Sequence, residues 1–347
     1  MSGAAGLGIR EALAALIGGK SLTTADMTAV VGQIMDGAAT PAQVGALLAA
    51  LRMKGETVDE VVGAAQAMRD RMVRVTTDYP VLLDTCGTGG DGSGSVNVST
   101  LATFILAACG VKVAKHGNRA LSSRSGSHDV LEALGIDPSP APDVASRCLD
   151  QLGLCFMFAP AYHAATKHAA GPRREVGFRT LFNLIGPLTN PAGTRYHVNG
   201  VFAPERCEFL ARAHHQMGSQ RAMVVHGAGG LDEFAPAGAT LVAELREGKV
   251  RSYEVTPADF GLDEANADEL KGGEPADNAH MLLASLQGKA GAGRMAALMT
   301  AAAGLVVTGG APDLRAGAAL AALALDGGQA LAVLERLRGL SPAPSKP

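Results

Sequence analysis

Val81-Leu82-Leu83-Asp84-Thr85-Cys86-Gly87-Thr88-Gly89-Gly90-Asp91-Gly92-Ser93-Gly94-Ser95 reads as a strand that runs into a glycine cluster. Its first four residues are a short apolar run that predicts a strand. Five glycines then fall within eight residues, directly at the strand end. Glycine tolerates positive φ and close backbone approach, so such a loop can turn several amide N–H groups toward one point. Converging amides form an anion nest, suited to a phosphate or pyrophosphate. A flexible surface loop is the plainer alternative; glycine this dense at a strand end argues for the anion site.

Two familiar phosphate loops fail. Gly87, Gly89 and Gly92 satisfy G-x-G-x-x-G, but a dinucleotide fold wants an acidic residue about 20 positions on. Residues 107–115 read Ala-Ala-Cys-Gly-Val-Lys-Val-Ala-Lys instead. No Gly-Lys-Ser/Thr follows either, which excludes the nucleotide P-loop. Cys86 has no evident histidine partner to make it a nucleophile.

Working outward, Val96-Asn97-Val98-Ser99-Thr100 leads into an apolar helix predicted over 100–109, with Ser99 or Thr100 as its N-cap. The free N–H groups and positive dipole end of that helix would face the glycine loop. A strand is predicted over 111–114. Lys115-His116-Gly117-Asn118-Arg119-Ala120 is read as the loop that follows it, with Ser122-Ser123-Arg124-Ser125-Gly126-Ser127 just behind. Cations, hydroxyls and an amide at this density suit a multiply charged oxyanion. Two anion loops on neighbouring strands suggest one ligand with two phosphate groups.

The rest of the chain gives the architecture. Residues 8–76 read as helices almost throughout, with a Thr40-Pro41 start, a break at Gly55-Glu56-Thr57 and an amphipathic helix over 58–73. After residue 80, helices predicted over 127–134 and 141–152 alternate with strands over 155–158, 198–202 and 222–225. That alternation predicts an α/β fold: a small all-helical N-terminal domain plus a larger α/β domain with a mainly parallel central sheet. The domains are read as 1–78, joined by part of 170–195, and 79–347. Residues 295–312 are uncharged and superficially membrane-like in length, yet glycines and threonines within them favour a buried helix followed by a strand and turn over a membrane span.

Composition bounds the partners. The 347 residues include 44 glycines and no tryptophan, with 47% hydrophobic, 18% charged and a net charge of −3. That balance offers no bulk attraction to nucleic acid or to an anionic membrane. The five cysteines, Cys86, Cys109, Cys148, Cys155 and Cys207, never stand as C-x-x-C, which favours reduced thiols in a cytoplasmic enzyme. The N-terminal residues carry Glu11 and no cleavage pattern, and are read as a helix rather than a signal peptide.

Taken jointly, Gly87-Thr88-Gly89-Gly90-Asp91, Asn97-Val98-Ser99-Thr100 and Lys115-His116-Gly117-Asn118-Arg119-Ala120 followed by Ser125-Gly126-Ser127 closely resemble the anthranilate phosphoribosyltransferases. The likeness continues in Pro41–Ala46 and Arg52–Thr57, in Arg173–Pro191, in Gly230-Leu231-Asp232-Glu233 and in Thr256–Gly261. It implies attack of the anthranilate amine on the anomeric carbon of phosphoribosyl pyrophosphate, with Mg²⁺, in tryptophan biosynthesis. It also implies a homodimer through the helical domain. By position, Gly87, Gly90, Asp91, Ser95, Asn97, Val98, Ser99, Thr100, Lys115, His116, Gly117, Asn118, Arg119, Ala120, Leu121, Ser122, Ser123 and Ser127 would hold phosphoribosyl pyrophosphate. Gly87, Asn118 and Arg173 would hold anthranilate, with Lys115, Asn118 and Arg173 as the catalytic set. Ser99, Asp232 and Glu233 would hold Mg²⁺, and hard oxygen donors suit that ion.

Departures from the resemblance are Arg124, His128, Thr166 and Gly171-Pro172, which flank the site and remove none of those residues. His116 could serve as an acid or base, or could order its loop. Two rivals stand beside this reading: a nucleoside phosphorylase, which shares the implied fold, and a non-catalytic nucleic-acid-binding paralogue, which a strongly basic surface would favour.

Overall fold

A computed structural model describes residues 6–119 and 125–343. The chain opens with four helices, α1 (Ile9–Ile17), α2 (Thr24–Met35), α3 (Pro41–Lys54) and α4 (Val58–Arg69). Thr23, Thr40 and Thr57 each form a capping box with the third residue of the helix they start. These reciprocal bonds satisfy N–H groups that an uncapped helix leaves open. The expected helix over 58–73 ends at Arg69, four residues early, and Val73 N bonds instead to the Tyr162 carbonyl.

The order then becomes β1 (Leu83–Asp84), α5 (Val98–Ala108), β2 (Val113–Gly117), α6 (Ser127–Ala133), α7 (Pro142–Leu152), β3 (Leu154–Phe158), α8 (Ala159–Tyr162) and α9 (Lys167–Val176). After it come β4 (Tyr196–Gly200), α10 (Glu205–Gln216), β5 (Arg221–Gly227), β6 (Thr240–Arg246) and β7 (Lys249–Val255). Helices α11 (Pro275–Leu286), α12 (Ala292–Thr308), α13 (Leu314–Asp326) and α14 (Gln329–Leu340) complete it. One seven-stranded sheet has the order β3-β2-β1-β4-β5-β6-β7. The first five strands in that order are parallel, and β6 and β7 are added antiparallel. A small helical N-terminal domain thus stands beside a larger α/β domain with a mostly parallel, mixed sheet.

Three sequence expectations need correction. The N-cap of α5 is Asn97, not Ser99 or Thr100. Asn97 caps without a side-chain bond because its amide is used elsewhere: Nδ2 donates to the Ser125 carbonyl and Oδ1 accepts from Asn278. Strand β2 runs to Gly117, so Lys115, His116 and Gly117 lie on the strand and not in the loop after it. Finally, residues 295–312 hold no strand. Helix α12 continues through Val306 and Val307 to Thr308 and stops at left-handed Gly309. Its β-branched tail is buried in the core, and tertiary packing there outweighs β propensity.

Two cores position the site. One fills the space between the sheet, α5 and α12, and the other joins the helical bundle to α10 and the opposite face of β5 and β6. Small residues let these layers approach. A Cβ on Gly304 of α12 would stand 2.7 Å from Leu106 Cδ2 and 2.9 Å from Leu83 Cδ2, so α12 meets α5 and β1 without a gap for a side chain. No single helix among the described residues is long and apolar enough to cross a membrane.

Candidate active site

The strand order reverses at β1, which has β2 on one side and β4 on the other. Crevices beyond the carboxyl ends of strands at such a switch point are where open α/β sheets bind ligands. The ends of β1, β2, β4 and β5 all lead to site residues here.

The loop after β1 has a backbone that depends on glycine. Gly89, Gly90, Gly92 and Gly94 have φ of 63°, 79°, 78° and 63°, a region closed to most side chains. The loop is tied at both ends. Thr88 N donates to the Gly200 carbonyl at 2.9 Å, Ser93 N to Asp91 Oδ1 at 3.1 Å, and Gly272 N to the Gly94 carbonyl at 2.8 Å. Arg179 donates to the Gly90 carbonyl and lies over the Phe202 ring, which brings the segment after α9 onto this loop.

Alternation along β2 separates Lys115 from His116. Lys115 is 3% exposed, and its Nζ donates to the Thr85 carbonyl (3.0 Å), Thr85 Oγ1 (3.3 Å) and Ser99 Oγ (3.1 Å). His116 faces the segment after α9, with Nδ1 3.1 Å from the Gly186 carbonyl and its ring 5.1 Å from that of His163. Burial, together with neighbouring His163, lowers the pKa of His116 to about 3, and burial lowers that of His163 to about 4. Both shifts favour the neutral rings near pH 7, and the Gly186 contact holds the His116 ring against the segment after α9.

Asp84, fully buried, ties these pieces together. Its carboxylate accepts from Cys86 N (3.0 Å), His116 N (3.1 Å) and Asn190 Nδ2 (2.7 Å). Burial raises its pKa to about 6 against the opposing effect of Asn190 and Lys115. Burial also pushes the Cys86 thiol well up, which favours its protonated form.

The acid pair arrives from the loop after β5. Glu233 Oε1 accepts from Ser99 N at 3.1 Å, placing a carboxylate on the first turn of α5, where the helix dipole favours negative charge. Asp232 N donates to Asp91 Oδ2 at 3.3 Å. Gly200, at the end of β4, makes this possible, because a Cβ there would overlap the Asp232 carbonyl oxygen. Burial raises the pKa of Glu233 to about 7, opposed by Lys115 and the Ser99 N–H. Asp232 is pushed well above the usual carboxylate range by burial, then by Asp91 and Glu233. Asp91 and Glu233 both act on Asp232 electrostatically, and Lys115 offsets part of the charge at Glu233. Hard oxygen donors in such a field fit a divalent cation such as Mg²⁺.

Among the other expected residues, Thr100 is fully buried and Ser95 pairs with Lys271 in an isolated bridge. Ser127 Oγ lies 3.4 Å from the Asn118 carbonyl. Arg119 pairs with Asp129 at 3.0 Å beside α6. Val98 begins α5, and Gly117 packs so closely on Ser127 that a Cβ would collide with its hydroxyl. Arg173, in the last turn of α9, is partly buried; desolvation lowers its pKa, and its guanidinium carbon stands 4.9 Å from the Phe182 ring centre. Of the departures, His128 packs on Phe158 (4.2 Å), Thr166 Oγ1 donates to the His163 carbonyl (2.7 Å) and Pro172 is buried inside α9. Ala120, Leu121, Ser122, Ser123 and Arg124 lie outside the described residues.

Sequence reasoning missed Thr85, Asp84, Asn190 and Gly200 as builders of this site. Gly200 left a signal, since an isolated glycine at a strand end marks close approach of another backbone. Asn190 left none, because its partners are distant in sequence.

Comparison with known proteins agrees along the chain. Residues 79–331 match the glycosyl transferase family, a/b domain, and residues 10–72 match the glycosyl transferase family, helical bundle domain. The chain is 48% identical over 347 residues to an anthranilate phosphoribosyltransferase of Citrifermentans bemidjiense, covering 96% of this chain and 99% of that one. It is 52% identical over 329 residues to one from an Anaeromyxobacter species (strain Fw109-5), covering 95% and 97%. The crystal structure of anthranilate phosphoribosyltransferase from Thermus thermophilus superposes with a TM-score of 0.90 at 42% identity, covering 95% and 98%. The enzyme from Saccharomyces cerevisiae in complex with PRPP and Mg gives 0.86 at 26% identity, covering 96% and 97%.

Proposed function

The chain belongs to the anthranilate phosphoribosyltransferase family, and from that premise we propose how its site performs the family reaction. The enzyme transfers the phosphoribosyl group of 5-phosphoribosyl 1-pyrophosphate to the amine of anthranilate. The products are N-(5-phosphoribosyl)anthranilate and pyrophosphate, in tryptophan biosynthesis. The observation that carries the proposal is the environment of Ser99. Its N–H is held by Glu233 and its hydroxyl by Lys115, so the helix start, the acid pair and the lysine strand meet at one residue.

The glycine loop, the first turn of α5 and Lys115 are assigned to the pyrophosphate. Substitution at the anomeric carbon passes through a loose, cationic transition state, so catalysis consists mainly of positioning and of stabilising the departing charge. Lys115 is held by Thr85 and Ser99 before any ligand arrives, and such preorganised charge costs little reorganisation during reaction. Ser99, Asp232 and Glu233 would hold Mg²⁺. When bound, the ion neutralises pyrophosphate charge. Arg173 and Asn118 would hold anthranilate, the guanidinium fork matching a carboxylate. Phe182 packed on Arg173 restricts the guanidinium, and Arg179 bonded to Gly90 closes that segment onto the phosphate loop. An aromatic amine is neutral at pH 7, so no strong general base is needed.

The same reading assigns residues 1–78 with part of 170–195 to the helical domain, supported by α9 packing on α2 and α3, and 79–347 to the α/β domain. A homodimer through the helical domain is supported by Ile17 and Met53, which are 79% and 88% exposed on the packed helices α1 and α3. A cytoplasmic setting is supported by five free cysteines.

The test follows loss of anthranilate fluorescence with phosphoribosyl pyrophosphate and Mg²⁺, beside phosphorolysis of a pyrimidine nucleoside and salt-dependent DNA binding. Turnover of the first pair alone is expected. Phosphorolysis, or DNA binding without turnover, would replace the proposal with a rival.

A further inference from the structure

Asn199 and His214 are both fully buried, yet neither belongs to any part of the site described above. Asn199 Nδ2 donates to the Cys86 carbonyl at 2.6 Å, and Asn199 Oδ1 stands 2.7 Å from His214 Nε2. His214 Nδ1 lies 3.1 Å from Ser219 Oγ. The directions of these bonds follow from one fact: a carbonyl only accepts. The Asn199 amide must therefore turn its NH₂ to Cys86 and its oxygen to His214. That oxygen requires a proton on Nε2, which leaves Nδ1 to accept from the Ser219 hydroxyl. Burial, with His197 and Arg69 nearby, pushes the His214 pKa well below its ordinary value, so the neutral tautomer persists.

We propose that Asn199, oriented by His214, is a positioning residue that sets the mouth of the pyrophosphate loop against the end of β4. Cys86 is the last residue before the first loop glycine, and Gly87 packs directly on Gly200, where a Cβ would stand 3.0 Å from the Gly200 carbonyl. Thr88 N bonds to that same carbonyl. Two successive residues of β4 thus hold two sides of the loop entrance, Asn199 through a side chain and Gly200 through its backbone. Gly200 also touches the Asp232 backbone, so a loop displaced at Cys86 would move relative to the acid pair. His214 sits on α10, against which α4 of the helical domain packs. Arg69 of α4 donates to the carbonyl of Met217, the C-cap of α10, at 3.4 Å. The relay therefore connects the phosphate loop to the layer that carries the helical domain.

This inference rests on the assignment of the glycine loop to pyrophosphate, and two readouts separate them. Steady-state kinetics give KM for each substrate. Calorimetric titration with inorganic pyrophosphate and Mg²⁺ gives loop affinity without turnover. Failure of the wild type to consume anthranilate would count against the reaction, while the titration still decides the relay. Asn199→Leu is expected to raise the phosphoribosyl pyrophosphate KM and the pyrophosphate Kd about tenfold, as for a buried hydrogen bond lost with one partner left unpaired. The anthranilate KM should stay within about twofold. His214→Leu should act in the same direction, and the double variant should be no worse than Asn199→Leu, because coupled residues do not add. His214→Gln, which can still present a donor to Asn199, should recover wild-type constants. Should Asn199→Leu fail to fold, the contrast between His214→Leu and His214→Gln decides. Unchanged pyrophosphate affinity in folded variants, or equal rises in both KM values, would overturn the proposal.

Discussion

In the proposed mechanism Arg173 is assigned to anthranilate and Lys115 to the pyrophosphate. Arg173 is an arginine pinned against Phe182 with no carboxylate partner among the described ion pairs, an arrangement that leaves its fork for a ligand carboxylate. Arg173→Ala is expected to raise the anthranilate KM by about tenfold or more and leave the phosphoribosyl pyrophosphate KM within about twofold, since a charge-assisted bidentate pair is lost on one substrate only. A selective rise for the other substrate would contradict that division. Lys115 is different, because it is buried among Thr85, Ser99 and the carboxylates of Asp84 and Glu233. Lys115→Met should lower kcat by about a hundredfold, the scale of one preorganised electrostatic group, with a folded protein by circular dichroism. Retention of wild-type kcat would remove Lys115 from the mechanism. Both candidates come from the sequence, Lys115 from its dense polar neighbourhood and Arg173 through family likeness, and the kinetics above test their roles. Thr85 and Asn190 were not legible there, because nothing local distinguishes them from ordinary polar residues; only the fold makes them partners.

The elements around the site show which local signals survive folding. The dense glycine loop after β1 was readable because positive φ at four positions demands glycine whatever the surroundings. The α5 N-terminus was misread because its orphan N–H is capped by Glu233, 134 residues away, rather than by a neighbouring side chain. The β6–β7 hairpin was missed although Glu247-Gly248, with φ of 53° and 72°, is a two-residue turn between alternating strands. At the end of β4, Gly200 separates the phosphate loop from the Asp232 backbone. Gly200→Ala should force these loops apart and lower stability by about 1–3 kcal/mol, as overpacking does. Urea titration and the Mg²⁺ dependence of turnover should shift together. A stable variant with unchanged Mg²⁺ dependence would mean the close approach is not needed.

At the scale of the molecule, the helical domain and the sheet meet on the buried surface around α10. His197 of β4 lies there with its ring 4.1 Å from that of His214, and burial with nearby Arg69 lowers its pKa to about 3. An unfolded histidine takes up a proton below about pH 6.5, whereas folded His197 does not until about pH 3. The unfolded state then binds more protons, so this group's contribution is complete above pH 6.5 and is lost as pH falls through that window. Asp84 and the acid pair, with raised pKa values, act in the opposite sense, so a comparison between variants is needed to isolate the histidine. His197→Leu should lose about 2 kcal/mol less stability than wild type between pH 7 and pH 5, measured by urea unfolding. Equal losses would show that His197 titrates normally. On the proposed reading, the glycine loop, Lys115 and the Asp232-Glu233 pair form one Mg²⁺-dependent phosphoribosyl transfer site. It is tested most directly by product formation across a Mg²⁺ titration in the wild type and in the Asp232→Ala/Glu233→Ala double variant. The wild type should give N-(5-phosphoribosyl)anthranilate and pyrophosphate in equal amounts, with the double variant slower by about a hundredfold or more at every Mg²⁺ concentration. A double variant that matches the wild type, or a wild type that forms neither product, would contradict it.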